Sequence, residues 1–301
     1  MKALVTGARG FVGTHLMAHL QDSGDEAVGI DRSIDDLDIL DAPALLELFR
    51  KVQPEVVYHL AGSADVGGSW DTPGATFRAN AEGTLTVLWA ARETGVERVL
   101  AVGSADVYGK VVPEDLPLTE ESPLRPVSPY AASKVAADAV AYQAFLGFGQ
   151  GVVRARPFNH LGPGQTDRFV APALASRVAA NERSGEQVVK VGNLSPERDF
   201  TDVRDVVRAY RLMVAAGTAG EVYNVCSGTA VAVQSLAEQL IGMATVPMRL
   251  EPDPDLQRPV DIPVLRGDAA KLRRDTGWVP EIPLATTLRD LLDFQRARLD
   301  G

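Results

Sequence analysis

Tyr130 and Lys134 stand four positions apart in Tyr130-Ala131-Ala132-Ser133-Lys134, a spacing that puts both on one face of a helix. An ammonium one turn from a phenol stabilises the phenolate, which lowers the phenol pKa from its reference of about 10. Such a tyrosine can give a proton to a carbonyl oxygen, or take one from an alcohol, near neutral pH. Ser104 follows an apolar run at 99–103 and can hold the same oxygen through its hydroxyl. Ser104, Tyr130 and Lys134 are therefore the expected catalytic set, with chemistry at a carbonyl or an alcohol.

That chemistry needs a hydride carrier, and the N-terminal segment offers a place for one. Thr6-Gly7-Ala8-Arg9-Gly10-Phe11-Val12-Gly13 follows a first apolar run and opens a helical pattern. Gly7 permits the tight turn, Gly10 lets backbone approach a pyrophosphate, and Gly13 lets helix pack on strand. The helix N-terminus, with the amides of Phe11 and Val12, then faces the phosphates. Asp31 ends the second apolar run and can accept hydrogen bonds from the adenosine ribose. Either guanidinium of Arg32 or Arg9 can hold a 2′-phosphate bidentately instead. NADH is the expected cofactor, with NADPH tolerated. Asp38 and Ile39 fall where they can meet the adenine edge, although Asp38-Ile39-Leu40-Asp41 would equally cap the next helix.

The elements that must position these groups alternate along the chain. Runs at 2–6, 26–30, 56–60, 99–103, 152–157 and 221–225 read as strands, unbroken enough to be buried on both faces of a parallel sheet. Helical spacing fills 12–20, 42–52, 81–94 and 130–146. The expected fold is α/β, a doubly wound parallel Rossmann sheet with a smaller α/β substrate-binding lobe. Regularity fades after Asn159, so the dinucleotide-binding domain is expected over 1–163 plus 199–228, with 199–216 and 221–227 as returns to the sheet. The lobe is expected over 164–198 plus 229–301, ending in an amphipathic helix at 284–299.

Gly7–Gly13, His59-Leu60-Ala61-Gly62, Ser104 with Tyr130 and Lys134, and Arg156-Pro157-Phe158-Asn159-His160 together resemble the extended short-chain dehydrogenase/reductases across nearly the whole chain. Within them, Asn159–Gly164 and Arg198-Asp199-Phe200-Thr201-Asp202-Val203-Arg204-Asp205 are similar to the group acting on GDP-linked 6-deoxy sugars. The resemblance implies that Leu60, Ala61 and Gly62 line the cofactor, that Lys134 holds the nicotinamide ribose, and that the chain dimerises through 81–94 and 130–146. It also implies that Ser104, Asp106, Asn159, Arg198, Arg258 and Asp261 meet the nucleotide sugar, with the base read by backbone and apolar groups around 188–194.

The 4,6-dehydratases of that group carry a Glu where this chain has Asp106, preceded by a polar or acidic residue where it has Ala105. Asp106 sets its carboxylate back by about one C–C bond, ~1.5 Å, and errors of that order are costly in catalysis. Dehydration is thereby disfavoured. What the resemblance leaves is reduction of the C4 keto group of GDP-4-keto-6-deoxy-D-mannose by NAD(P)H to GDP-D-rhamnose. Two readings stay open beside it: a 4-epimerase or dehydratase recycling tightly held NAD, and a dinucleotide-sensing regulator without chemistry.

Composition bounds the partners. The 301 residues carry a net charge of −10, which argues against a broad nucleic-acid or anionic-membrane surface. Cys226 is the sole cysteine, and neither His59 nor His160 has companions at metal-ligand spacing, so no disulfide and no metal are expected. No apolar run approaches membrane-spanning length and the first strand starts at once, so a cytoplasmic protein is expected.

Overall fold

A computed structural model describes residues 1–35, 37–256 and 262–300. Its main layer is a parallel sheet of six strands: β1 (Lys2–Thr6), β2 (Glu26–Ile30), β3 (Val56–His59), β4 (Arg98–Val102), β5 (Val152–Pro157) and β9 (Val222–Val225). The order across the sheet is β2-β1-β3-β4-β5-β9. These are the six runs read from the sequence, with ends shifted by a residue or so.

Strand side chains alternate between two apolar cores. Ala3, Val5, Tyr58, Leu100, Val153 and Ala155 enter one, with Leu16 and Leu20 of α1 (Phe11–Asp22) and Val206, Tyr210 and Met213 of α8 (Val203–Ala216). Leu4, Val57, Val99 and Val152 enter the other, against three helices. Those are α3 (Ala42–Val52), α5 (Gly83–Glu93) and α6 (Pro129–Phe148). Burial on both faces is why these strands read as unbroken apolar runs. Two short helices complete this half, α2 (Arg32–Asp35) and α4 (Pro73–Phe77). The helix expected at 81–94 begins two residues later, as α5, because α4 first runs into a π turn at Arg78–Glu82.

A third core, including Leu174, Val178, Leu236, Leu240, Leu288 and Leu292, lies under α7 (Val170–Ser184), α9 (Val233–Gly242) and α11 (Leu284–Asp300). Beside it run β6 (Asn159–Leu161), β8 (Glu197–Asp202), β10 (Ala230–Ala232) and β12 (Val264–Leu265), paired around β8. A separate pair joins β7 (Val188–Val191) to β11 (Arg249–Pro252). The short α10 (Ala270–Thr276) precedes α11.

The segment 199–216 does not return to the main sheet as a strand. Its first residues belong to β8 of the small sheet, and only α8 packs back beneath the large one, beside α1. The reason is polarity: β8 reads Glu-Arg-Asp-Phe-Thr-Asp and buries Asp199 and Asp202, which need donors that an apolar parallel sheet lacks.

Candidate active site

Strand order reverses between β1 and β3, and the glycine turn leaves β1 at that point, where open α/β sheets form a crevice. Gly7 has φ +73°, and a Cβ there would lie 2.8 Å from the Ala61 amide nitrogen. A Cβ on Gly13 would lie 2.1 Å from the Gly7 carbonyl oxygen, so α1 seats on the turn only with glycine. Gly10 caps α1 in an extended conformation, without a side-chain cap and without an acidic residue in the first turn. The leading amides of this 12-residue helix, those of Phe11, Val12 and Gly13 among them, are thus left to an external anion. This cradle fits a dinucleotide pyrophosphate.

Asp31 follows β2 and is fastened to the same turn. Its carboxylate accepts the Arg9 amide at 3.3 Å, the Ser33 amide at 3.0 Å and the Ser33 hydroxyl at 2.7 Å. Burial pushes its pKa up, but the bonds from Ser33 and Arg9 outweigh burial and the net direction is down, so it is ionised. Arg32 is exposed, 4.0 Å from the Asp38 carboxylate. Asp38 accepts the Leu40 amide at 3.0 Å, and the Ile39 side chain packs where Gly83 lacks one. The helix cap is Asp41, which accepts the Ala44 amide at 3.1 Å. Leu60, Ala61 and Gly62 cross beside the turn: Thr6 receives the Leu60 amide on its carbonyl and the Ala61 amide on its hydroxyl, each at 3.2 Å.

Ser104, Tyr130 and Lys134 converge at the C-terminal end of β4. Ser104 caps a 3-10 turn at Ala105–Tyr108, accepting the Asp106 amide at 3.1 Å, and hydrogen-bonds the Tyr130 phenol. Tyr130 lies in the first turn of α6, which Ser128 caps through the Ala131 amide at 3.1 Å. Lys134 is one turn on, nearly buried; Nζ donates to the Val102 carbonyl at 3.0 Å and lies 6.0 Å from the Tyr130 ring centre.

The electrostatics differ from the sequence expectation. Burial first, then the negative charge of Asp106, push the Tyr130 phenol above its ordinary pKa, while the Ser104 bond acts weakly the other way. Burial pulls Lys134 down to about 8. The ammonium is aimed at a backbone carbonyl rather than at the phenol oxygen, so desolvation decides the direction. At neutral pH the phenol therefore carries its proton, the state of a donor to a forming alkoxide.

Asp106 is partly buried; burial raises its carboxyl pKa and the charge of Arg198 opposes this. Arg198 donates to the carbonyls of Glu197 at 2.9 Å and Ile262 at 2.6 Å, which ties β8 to the chain leading into β12. Asn159 is exposed at the start of β6, opposite Phe200. Residues 188–191 form β7 and pair with β11. Arg258 and Asp261 lie outside the described residues.

Sequence reasoning missed Asn80. It sits in the π turn, 1% exposed, accepting the Ser63 amide at 2.9 Å and donating to the Ser63 carbonyl at 3.1 Å and the Ser133 hydroxyl at 2.8 Å. A Cβ on Gly62 would lie 2.5 Å from its Oδ1. Asn80 thus joins the loop after β3 to the helix that carries Tyr130 and Lys134. His59 lies below, between Thr6 Oγ1 at 2.8 Å and Thr84 Oγ1 at 3.1 Å. Burial, then the Lys134 charge, lower it to about 3, so it is a neutral bridge. An asparagine inside an otherwise helical stretch is the one available signal for Asn80, since it disfavours helix. Among the described residues no cluster of His, Cys, Asp and Glu is placed to hold a metal, and no helix is long and apolar enough to cross a membrane.

Comparison with known proteins agrees with this geometry. The model of the NAD dependent epimerase/dehydratase family matches residues 3–226. The chain is 38% identical to GDP-6-deoxy-D-mannose reductase of Pseudomonas aeruginosa over 99% of this chain and 98% of that protein. The solved structure of RMD from Pseudomonas aeruginosa complexed with NADPH superposes with a TM-score of 0.91 at 37% identity, covering 99% of this chain and all of that one. The UDP-glucose 4-epimerase of Thermus thermophilus in complex with NAD superposes at 0.88 with 27% identity, covering 98% and 99%. With the glycine cradle, the Rossmann sheet and the convergent Ser-Tyr-Lys set, the chain belongs to the NAD dependent epimerase/dehydratase family, the extended short-chain dehydrogenase/reductases, and is an NAD(P)-dependent oxidoreductase.

Proposed function

We propose that this enzyme reduces the C4 keto group of GDP-4-keto-6-deoxy-D-mannose to give GDP-D-rhamnose. The observation that carries the reading is a protonated Tyr130 phenol held by Ser104 beside the glycine cradle, with Ala105 and Asp106 where a dehydratase carries its acid and base. Its relationship to the Pseudomonas aeruginosa reductase supports the same choice. The bound nicotinamide supplies a hydride to the sugar C4.

Ser104 and Tyr130 hold the keto oxygen, and Tyr130 hands it the phenol proton as negative charge develops there. Lys134 binds the nicotinamide ribose and compensates the transient phenolate. Gly7, Gly10, Phe11, Val12 and Gly13 hold the pyrophosphate. Asp31 takes the adenosine ribose of NADH, Arg32 and Arg9 accept the added phosphate of NADPH, and Asp38 and Ile39 border the adenine. Leu60, Ala61 and Gly62 close the nicotinamide side. Asp106, Asn159, Arg198, Arg258 and Asp261 receive the nucleotide sugar, the arginines on its pyrophosphate. The enzyme acts as a cytoplasmic homodimer; support comes from Leu85, Tyr142, Leu146 and Phe148, which leave an exposed apolar face on α5 and α6.

The test is to supply purified protein with GDP-4-keto-6-deoxy-D-mannose and NADH, or NADPH in parallel, and identify the product by NMR. GDP-rhamnose formed with one equivalent of oxidised cofactor supports the reading. Conversion of GDP-mannose itself to the keto sugar contradicts it.

A further inference from the structure

A second cavity, of about 310 Å³, opens beyond the C-terminal end of β9, against the chain that leads into α10. Its lining includes Ser227, Gly228, Arg266, Gly267, Asp268 and Arg273, and none of the residues of the glycine turn or the Ser-Tyr-Lys set. Its volume is at the small end of ligand pockets, sufficient for a monosaccharide derivative and too small for a dinucleotide.

The wall is built around one carboxylate. Asp199 is fully buried and accepts the Ser227 amide at 2.7 Å, the Ser227 hydroxyl at 2.6 Å, the Gly228 amide at 2.9 Å and the Gly267 amide at 3.3 Å. On the other side Leu118 exchanges backbone bonds of 2.9 Å with Arg266 and Asp268. Gly267 is packed so closely that a Cβ would lie within 2.7 Å of the Phe158 ring and of Cys226 Sγ. These ties fix the lining in place before any ligand arrives, which lowers the cost of binding.

Arg266 and Arg273 enter this fixed frame without counter-ions. Elsewhere, arginines at 154, 156, 204, 208, 211 and 296 each meet a carboxylate at 3.0 Å or less. Arg266 is half-buried and its Nε is sealed from solvent with no acceptor, and among the described residues neither guanidinium has an ion-pair partner. A desolvated cation left unpaired is costly, and two guanidinium forks on one cavity suit a phosphate. Asp268, which accepts the Ala270 amide at 2.7 Å just before α10, adds a carboxylate of the kind that receives sugar hydroxyls.

We propose that this cavity is a second ligand site, one that binds a phosphomonoester of a small polyhydroxylated molecule, with its phosphate on Arg266 and Arg273 and its hydroxyls toward Asp268. The site stands independently of the reaction proposed above.

Isothermal titration calorimetry of the full chain tests it with three probes: glucose 1-phosphate, inorganic phosphate and glucose. Each is titrated with and without saturating NADPH and GDP. Saturable binding of glucose 1-phosphate is expected, several-fold tighter than phosphate, with none for glucose and no displacement by NADPH or GDP. Arg273→Ala, at an exposed position, is expected to weaken glucose 1-phosphate at least tenfold with an unchanged melting curve, and Arg266→Lys to weaken it in the same direction. Lack of binding, affinity unchanged in both variants, or displacement by GDP each overturns the proposal. Equal affinity for phosphate and glucose 1-phosphate overturns the hydroxyl-recognising half of it.

Discussion

Replacing Lys134 by Met should make the protein more stable while abolishing its activity. Burial lowers the Lys134 pKa from 10.5 to about 8, which corresponds to about 3 kcal/mol of destabilisation wherever both folded and unfolded chains carry the charge. Methionine fills a similar volume without that cost, and forfeits the Nζ bond to the Val102 carbonyl, worth about 1 kcal/mol. The net gain at pH 7 is about 2 kcal/mol, or roughly 3 °C in Tm for a chain of this size. The sign of the pH dependence follows from the depressed folded pKa. Between pH 8 and 10.5 the unfolded chain binds the proton that the folded chain has released, so the wild type gains stability as pH rises through that window. The variant has no such titration. Its advantage should shrink to about zero near pH 10. Urea unfolding of both proteins at pH 7 and pH 10 measures the difference, and turnover with the keto sugar at pH 7 measures the loss of activity. A variant less stable than wild type at pH 7, or one with the same advantage at both pH values, shows that burial of the Lys134 charge carries no such cost.

Tyr130→Phe should lower turnover by about 10²–10⁴, the usual contribution of a positioned proton donor, while NADPH still binds as judged by fluorescence titration. Gly13→Ala should abolish cofactor binding, because its Cβ would sit 2.1 Å from the Gly7 carbonyl and only a displaced helix start relieves that; calorimetry with NADPH checks it. Asp138→Ala leaves the guanidinium groups of Arg154 and Arg156, now 2.9 and 3.0 Å from its carboxylate, buried without a counter-ion. Unfolding in urea should show a loss of about 3–5 kcal/mol.

The main sheet was legible because its strands are built mostly of Val, Leu, Ile and Ala that enter cores on both faces, even where β5 carries Arg154 and Arg156. The glycine turn was legible for a related reason, since Gly7 and Gly13 stand where a Cβ would strike backbone. The pairing of Tyr130 with Lys134 followed from helical geometry alone. What the spacing could not give was the direction of the Tyr130 pKa: that depends on desolvation and on Asp106, 24 positions away in the chain and next to it in space. Asn80 escaped for a similar reason. Its partners, Ser63 and Ser133, are brought to it by two other elements, and the π turn that aims it inward has no pattern of its own. Asp199 fell in a segment expected to return to the large sheet, whereas its four donors come from turns that only tertiary structure assembles.

In the proposed reaction a hydride reaches the sugar C4 while Tyr130 protonates the oxygen. Deuterium placed at the transferable position of the reduced nicotinamide follows that hydride. NMR of the product formed from GDP-4-keto-6-deoxy-D-mannose should show one deuterium at C4 of the sugar for each cofactor oxidised. Product carrying hydrogen at C4, or sugar converted with the label still on the nicotinamide, would rule out hydride transfer to C4.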